Sequence, residues 1–419
     1  MEKYLSLVEL PSDLDIGQKI KEDFPLLVNS GIAYLDSSAS AQKPYQVIDA
    51  MSCFYSSQYA NIHRGVYELS SNATQMYELA REKVANFIGA NSREIVFTRS
   101  ATESVNLVAS TWARENLRAG DEIVVSIAEH HSNFVPWQEL ARQLGLKLVV
   151  VPLSNSDALS SVCFSIDSFD ACISSKTRLV AITHLSNVLG NYLPVKEITQ
   201  IAHERGATVL VDAAQSIPHC KIDVLDTDCD FLVFSGHKLY GPTGIGVLYG
   251  KSSILETMLP YQFGGDMIEE VSLTKTTYNN IPYRFEAGTP HIAGAVGLGV
   301  AIDYVESLPM REIIDGEQKL VSAFEIGLEN IAGVSLIGGV GSHHGLVSFV
   351  VNSVQSYDLA EYLSVNGIAV RSGHHCAQPL LKSLGLNSTV RASFGIYSTT
   401  EDVERCLQAI KRAIEFFRR

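Results

Sequence analysis

The chain has 419 residues, of which 46% are hydrophobic and 19% charged, and its formal net charge is −14. This length predicts two domains with a large core, and the composition is ordinary for a globular protein. The acidic charge argues against nucleic acid or an anionic membrane as a partner, because both attract basic surfaces. The same acidity also fits plain solubility.

The cysteines indicate a reducing compartment. There are seven of them, an odd number, and no two are spaced as C-x-x-C. Free thiols therefore suit the chain better than a disulfide framework or a zinc site. The acidic residues that follow Met1 are unlike a secretory signal, and no stretch is apolar for long enough to span a bilayer. We expect a cytoplasmic protein with no membrane partner.

Short β-rich runs alternate with helical patterns from about residue 93. Strands are predicted at 94–97, 122–125, 148–151, 178–182, 207–211 and 231–234. Helices are predicted at 134–144, 194–205 and 400–417, and another has Ala101, Val105, Val108 and Trp112 on one face. Strands that are apolar on both faces and separated by helices predict an α/β fold with a mostly parallel sheet.

The pattern changes near residue 295 to long helices and separated strands. We predict a large domain over residues 31–294 and a smaller C-terminal α+β domain over residues 295–419. The N-terminal segment, residues 1–30, is expected to associate with the small domain. Ligands of parallel α/β sheets bind beyond the carboxyl ends of the strands, so the polar clusters that follow the predicted strands are the candidate site.

The first cluster is Ser235-Gly236-His237-Lys238, directly after an apolar strand. Burial lowers the pKa of a lysine amine, and a neutral amine can form a Schiff base with an aldehyde. Ser235 and His237 can both donate to a phosphate group. The alternative is a solvated loop lysine.

The second cluster begins at Asp212, which ends a predicted strand, and Gln215 lies one turn later. A carboxylate inside a cleft is costly unless it is paired. The pyridinium nitrogen of pyridoxal phosphate (PLP) is such a partner, and Gln215 can contact the ring hydroxyl. The alternative is an aspartate that caps the following helix.

Two further clusters suit the rest of such a cofactor. Ser100-Ala101-Thr102-Glu103 opens a helix, where free N–H groups attract phosphate, although a plain helix cap is the alternative. In Glu129-His130-His131-Ser132-Asn133, an imidazole can stack on an aromatic ring and move protons. No carboxylate or cysteine follows the paired histidines at ligand spacing, so we predict no metal.

The last cluster surrounds Cys376, which follows His374 and His375, with Arg391 downstream. Neighbouring histidines favour the thiolate form of a cysteine. Arg391 can hold a carboxylate with two hydrogen bonds. The alternatives are an inert buried thiol and a surface ion pair.

These motifs together resemble the group II, SufS-type cysteine desulfurases of the class V aminotransferase family. The resemblance runs from about Tyr34 to the C-terminus, on residues 129–131, 186–190, 212–215, 235–238, 284–290 and 371–376. It implies the PLP-dependent transferase fold type I and a homodimer. It also implies conversion of L-cysteine to L-alanine, with the sulfur held on Cys376 as a persulfide for iron–sulfur cluster assembly.

The resemblance implies a role for each candidate residue. Lys238 is similar to the Schiff-base lysine and base for Cα, Cys376 to the sulfur acceptor, and His130 to the ring-stacking proton carrier. The cofactor contacts that it implies are Asp212, Gln215, Thr102, Ser235, His237 and, from the other subunit, Thr289. The substrate-binding residues that it implies are Asn187 and Arg391, together with His63 in a segment similar to the active-site entrance.

Two positions depart from the family pattern. Ser100 stands where glycine is usual, and a side chain there disfavours a positive φ in the phosphate loop. Tyr357 stands where users of a SufU-like acceptor tend to have histidine, so a SufE-like acceptor is expected and a SufU-like one disfavoured. Selenocysteine lyase, cysteine sulfinate desulfinase and aminotransferase activities remain alternatives on this fold. A non-catalytic sulfur carrier is a more distant one.

Overall fold

The computed structural model describes residues 16–154, 158–339 and 341–418. The strands are β1 (Ala33–Tyr34), β2 (Ile95–Thr98), β3 (Glu122–Ser126), β4 (Lys147–Val151), β5 (Thr177–Thr183), β6 (Thr208–Asp212), β7 (Phe231–Ser235), β8 (Gly246–Gly250), β9 (Ile268–Val271), β10 (Thr276–Tyr278), β11 (Val334–Ile337), β12 (Leu346–Val351), β13 (Ile368–Ala369), β14 (Arg371–Gly373) and β15 (Thr389–Ser393). The helices are α1 (Ile16–Lys21), α2 (Pro25–Ser30), α3 (Tyr45–Cys53), α4 (Glu68–Ile88), α5 (Ala101–Val108), α6 (Arg114–Asn116), α7 (Val135–Leu144), α8 (Ile166–Cys172), α9 (Val195–Glu204), α10 (Val224–Thr227), α11 (Ser252–Leu255), α12 (Ile292–Ser307), α13 (Met310–Glu329), α14 (Ser356–Val365), α15 (Gln378–Ser383) and α16 (Thr400–Phe417).

Seven of the described strands form the central sheet, in the order β2-β8-β7-β6-β5-β3-β4. The pairs from β7 to β4 are all parallel, whereas β8 runs antiparallel to both of its neighbours. Every predicted strand of this region is confirmed to within one residue at each end. The mostly parallel sheet predicted from the apolar runs is therefore confirmed.

Alternate residues of the central strands enter two separate cores, one on each face of the sheet. Val124 of β3 lies in one core, whereas its neighbours Ile123 and Val125 lie in the other. Side chains alternate sides along a strand, so a strand buried on both faces needs apolar residues at every position. The predicted apolar face of the helix after β2 is also confirmed, since its residues join the second core.

The C-terminal half adds a four-stranded antiparallel sheet, in the order β11-β12-β15-β14. Helices α13, α14 and α16 supply its apolar core. The N-terminal segment joins this part of the molecule from residue 16 onward, because β1 pairs in parallel with β13 and α1 packs on α13. The segment also contacts the part of the chain between β7 and β8, through Phe24 and Tyr240. Residues 1–15 lie outside the described range. The domain boundaries themselves stay a prediction.

The two longest helices that link these sheets are α12 and α13. Helix α12 is buried along most of its length and packs on α4 and α3. Among the described residues, no single helix is long and apolar enough to cross a membrane, although α12 and α13 meet that criterion together with an 85° bend between them.

Candidate active site

A cavity of about 250 Å³ opens at the carboxyl edge of the central sheet. It collects most of the predicted site residues, namely Thr102, His130, Asn187, Asp212, Gln215, Ser235, His237, Lys238, Cys376 and Arg391. The strands from which these residues follow all end at the same edge, because the strands run in the same direction. Cys376 and Arg391 reach the cavity from the C-terminal half. The predicted residues His63 and Thr289 do not line it.

Lys238 ends a short 3-10 turn, Gly236–Lys238, that follows β7. The turn packs closely, since a Cβ added to Gly236 would lie 2.8 Å from a methyl carbon of Ile245. Burial lowers the pKa of the Lys238 amine to about 8, with Asp212 opposing that shift and Arg391 adding to it. The amine therefore has a substantial neutral fraction near physiological pH, which is the nucleophilic form.

Asp212 lies at the end of β6 and is only 5% exposed. Its Oδ1 accepts a hydrogen bond of 2.9 Å from the Ala214 backbone N–H. Burial raises the pKa of this carboxyl group, while the charge of Lys238 lowers it. No Lys, Arg or His forms a salt bridge with Asp212 within the described part of the chain, so a cationic ring nitrogen would complete its environment. Gln215 lies beside it and donates from Nε2 to the Ser38 carbonyl at 2.9 Å.

The start of α5 also lines the cavity. The Ala101 N–H donates to Ser235 Oγ at 2.9 Å, and the hydroxyls of Thr102 and Ser132 are hydrogen-bonded at 2.7 Å. Ser100 has φ −175°, an extended backbone that any residue adopts, and its Oγ accepts from the Glu103 N–H. The expected conflict between Ser100 and a positive φ is therefore wrong. Hydroxyls and a helix N-terminus at one place suit a phosphate group.

His130 presents an imidazole to the cavity in a fixed tautomer. Its Nδ1 accepts a hydrogen bond of 3.1 Å from the Ser132 backbone N–H, so the ring proton of the neutral form sits on Nε2. Burial, together with the charge of the nearby Lys238, lowers the pKa of His130 to about 3. At neutral pH the ring is therefore uncharged, able to stack on an aromatic surface and to donate one hydrogen bond from Nε2.

Arg391 in β15 is 2% exposed, so the surface ion pair considered from sequence is wrong. Its Nη1 donates to the Asn187 carbonyl at 2.9 Å, and Asp36 lies 3.5 Å from Nη2. The Nε–H is buried and has no partner among the described residues. Burial lowers the pKa of Arg391 to about 10. An unpaired buried donor is costly, and a substrate carboxylate would satisfy it.

Cys376 is exposed at the mouth of the cavity, so the inert buried thiol is also wrong. His375 and Cys376 both adopt left-handed backbone angles, with φ of 50° and 55°. Such angles cost a non-glycine residue about 1–3 kcal/mol each, and they persist where the surroundings enforce them. The enforcing contacts are a 2.7 Å hydrogen bond from the His131 N–H to the Cys376 carbonyl and one from the Cys376 N–H to His374 Nδ1.

The groups that line the cavity fit the different chemical parts of pyridoxal phosphate and its substrate. It holds a partly neutral amine for an aldehyde, a buried carboxylate for a ring nitrogen and hydroxyl donors for a phosphate. It also holds an orphaned guanidinium N–H for a substrate carboxylate. A group of three or more metal-ligating side chains does not occur among the described residues.

Comparison with known proteins agrees with this chemistry. Residues 33–406 match the family model for class V aminotransferases. A probable cysteine desulfurase of Halalkalibacterium halodurans is 48% identical over 406 residues, covering 96% of this chain and 98% of that protein. A cysteine desulfurase of Salmonella agona is 47% identical over 94% of this chain and 97% of its own length. The chain belongs to the cysteine desulfurases.

Solved structures agree on the fold of this desulfurase. The cysteine desulfurase CsdA of Escherichia coli superposes with a TM-score of 0.89 at 40% identity, covering 96% of this chain and 98% of that one. The apo cysteine desulfurase of Thermococcus onnurineus NA1 superposes with a TM-score of 0.90 at 42% identity, covering 95% and 98%. The predicted PLP-dependent transferase fold type I is thereby confirmed.

The two predicted residues outside the desulfurase cavity lie near one another. His63 and the neighbours of Thr289, Gly288 and Pro290, line a second cavity of about 290 Å³. There His63 Nε2 lies 3.0 Å from Glu78 Oε1. The single chain does not bring either residue to Lys238, and their roles stay predictions.

Sequence reasoning missed several residues that line the desulfurase cavity. Arg371 and His375 were noticed as parts of a motif but given no role, and Ser38 and Thr183 were not singled out. Asp36 was also missed, although it pairs with Arg371 at 3.0 Å. Asp36 contacts two arginines, Arg371 and Arg391, that are more than 330 residues away in the chain. No local sequence pattern predicts such a contact.

Proposed function

We propose that this cysteine desulfurase uses pyridoxal phosphate to convert L-cysteine to L-alanine, with the sulfur passing to Cys376 as a persulfide. One observation carries the proposal: a single cavity joins the amine of Lys238, the buried carboxylate of Asp212 and the exposed thiol of Cys376. An aminotransferase would have no use for that thiol, and a sulfur carrier would have none for the amine and the carboxylate.

The residues that would hold the cofactor divide by chemistry. Thr102, Ser235 and His237 donate to the phosphate, and Thr289 is proposed to do so from a second subunit. Asp212 accepts from the ring nitrogen, Gln215 contacts the ring hydroxyl, and His130 stacks on the ring. When bound, the cofactor supplies an aldehyde for an amine and a protonated ring that withdraws electrons from Cα.

Each protein group has a defined task in the reaction. Arg391 and Asn187 hold the substrate carboxylate, which places Cα near Lys238. The Lys238 amine, neutral in part because of its pKa of about 8, removes the Cα proton. The Cys376 thiolate attacks the substrate Sγ, so an S–S bond forms while the Cβ–S bond breaks and its electron pair stays with carbon. Protonation of that carbon, to which the Nε2–H of His130 relays a proton, and return of a proton from Lys238 to Cα together yield alanine.

The experiment that tests this function follows the products of L-cysteine. We expect alanine and, in the presence of a reducing thiol, sulfide in equal amounts. Formation of a keto acid in place of alanine would show an aminotransferase instead. A colourless protein that takes up no pyridoxal phosphate would favour a sulfur carrier.

Replacing Arg391 with lysine is expected to raise KM for L-cysteine by about 10- to 100-fold, because hydrogen bonds to charged groups contribute about 1.5–3 kcal/mol. Lysine keeps the charge but loses the planar pair of donors. The matched control is Arg371→Lys, since Arg371 lines the same cavity but is half-exposed and paired with Asp36. Initial rates of alanine release measure both. A larger rise in KM for the control would assign the carboxylate to Arg371.

We propose further that the protein is a cytoplasmic homodimer that hands sulfur to a SufE-like acceptor for iron–sulfur cluster assembly. Seven free cysteines suit a reducing compartment. The exposed position of Cys376 lets a second protein reach the persulfide, and Tyr357, 70% exposed at the start of α14, supports the SufE-like acceptor over a SufU-like one. Stimulation of alanine release by each acceptor type distinguishes the two.

A further inference from the structure

Glu129 is a fully buried acidic side chain that directly precedes His130 in the chain. Its Oε1 accepts hydrogen bonds from Ser126 Oγ at 2.6 Å and from the Thr183 backbone N–H at 3.0 Å. Its Oε2 accepts from Asn133 Nδ2 at 2.7 Å. Within the described residues it forms no salt bridge with Lys, Arg or His, so neutral donors alone compensate its burial.

The three donors come from three different parts of the site. Ser126 ends β3, and Thr183 ends β5, where it lines the cavity and pairs in register with Asp212. Asn133 ends the short 3-10 turn His131–Asn133, and its Oδ1 accepts from Trp137 Nε1 of α7 at 3.0 Å. The carboxylate therefore fixes this turn to the ends of two central strands.

The turn His131–Asn133 contacts both the imidazole of His130 and the backbone of Cys376. The Ser132 N–H donates to His130 Nδ1 at 3.1 Å and so selects the tautomer of the imidazole. The His131 N–H donates to the Cys376 carbonyl at 2.7 Å, and His131 Nε2 accepts from the Gln378 N–H at 3.2 Å. A shift of the turn would move the imidazole and release the backbone that holds the thiol.

We propose that Glu129 is a positioning residue that couples His130 to the sulfur-accepting Cys376 segment through the turn His131–Asn133. The coupling rests on the proposed function, in which His130 and Cys376 serve successive steps of one reaction. Misplacement of reacting groups by about 1 Å can cost about 100-fold in rate, so a single anchor for both groups has a large effect.

The hydrogen-bond direction, rather than the charge, carries this coupling. Burial raises the pKa of Glu129 to about 8, so the group gains a proton readily. Ser126 Oγ can donate to a carboxylate or accept from a carboxylic acid, and both states keep the contact. The contact with Asn133 is different, because Asn133 uses its oxygen for Trp137 and can only donate to Glu129.

This directionality defines the test. In Glu129→Gln, the new amide oxygen accepts the hydrogen bonds from Ser126 and Thr183. The amide nitrogen then faces the side-chain nitrogen of Asn133. Because both nitrogens are donors, this hydrogen bond is lost. In the double variant Glu129→Gln with Asn133→Asp, the introduced carboxylate accepts from both the introduced amide and Trp137, and the link is restored. The double variant thus repairs the geometry and places the acidic side chain at position 133 instead of position 129.

Hydrogen exchange of the holoenzyme, resolved by peptide mass spectrometry, is the first readout. In Glu129→Gln, we expect exchange within residues 374–378 to rise by about fivefold or more, since the loss of one hydrogen bond is enough for that change. We also expect kcat for alanine formation to fall by about tenfold or more with a smaller change in KM. The double variant should recover most of both. If Glu129→Gln does not fold, Asn133→Ala cuts the same link from the other side.

The matched control is Glu325→Gln. Glu325 is as fully buried as Glu129 and is bonded to His343 and to the Gly341 N–H, away from the cavity. It should lower the melting temperature without changing exchange at 374–378. Normal exchange and kcat in folded Glu129→Gln, or a folded double variant with no recovery, would overturn the proposal. If the wild type makes no alanine, the proposed function fails, whereas the exchange data still decide the coupling.

Discussion

Lys238→Ala is expected to abolish both the visible absorbance of cofactor bound to the protein and the formation of alanine. The amine is the covalent partner for the cofactor aldehyde and the base for Cα, so one substitution removes two functions. General-base catalysis alone contributes about 10²- to 10⁴-fold, and the loss in kcat should be at least that large. Absorbance spectra after addition of pyridoxal phosphate, together with alanine assays, measure the two effects.

The control for this substitution is Lys43→Met, because Lys43 is the other amine near the site whose pKa burial lowers to about 8. Its Nζ donates to the His237 carbonyl at 3.0 Å, one residue before Lys238. Both amines are therefore neutral in part near physiological pH, and they differ in that Lys238 lines the cavity. Retained absorbance in Lys238→Ala with lost absorbance in Lys43→Met would transfer the assignment to Lys43.

The central sheet was predictable because its strands are buried on both faces. Each reads as a continuous apolar run followed by polar residues, and β5 and β6 show this pattern clearly. The antiparallel β8 (Gly246–Gly250) was not predicted, since it carries a glycine at each end and follows a glycine-rich turn. A Cβ added to Gly246 would lie 2.5 Å from the Ser100 Cα, so close packing explains that glycine only once the partner is known.

The order of strands and the smaller sheet depend on contacts between distant residues. Periodicity marks where a strand lies but not its neighbour, and β1 pairs with β13 across more than 330 residues. The N-terminal segment was expected to reach the small domain, yet Phe24 also contacts Tyr240, which lies between β7 and β8 of the central sheet. Such pairings have no local signal in the chain.

The site was predicted better than the topology, for a physical reason. Parallel strands that end at one edge must bring their following residues together, so Asp212 and Lys238 converge without knowledge of strand order. Cys376 and Arg391 come from outside that sheet, so their residue types suggested a role, but strand direction could not place them at this edge. His63 and Thr289 do not line the cavity of the single chain. The role expected of Thr289 requires a second subunit, so one chain does not test it.

Cys376→Ala is expected to keep the cofactor absorbance and to lose alanine formation from L-cysteine by about 10³-fold or more, since the nucleophile for the substrate sulfur is gone. Alanine is the appropriate substitution because it retains the Cβ at the left-handed φ of 55° and so leaves the backbone strain of the segment unchanged. The absorbance therefore reports an intact cavity, and the assay reports sulfur transfer alone.

Cys163→Ala is the matched control for Cys376→Ala, because both thiols are exposed and only Cys376 borders the cavity. The control should keep full activity, and mass spectrometry after a single turnover should place one additional sulfur on the peptide that contains Cys376. Undiminished alanine formation in Cys376→Ala would mean that sulfur leaves the substrate without this thiol. The strained backbone of residues 375–376 would then have no role in the chemistry, and the cavity would act as a lyase site.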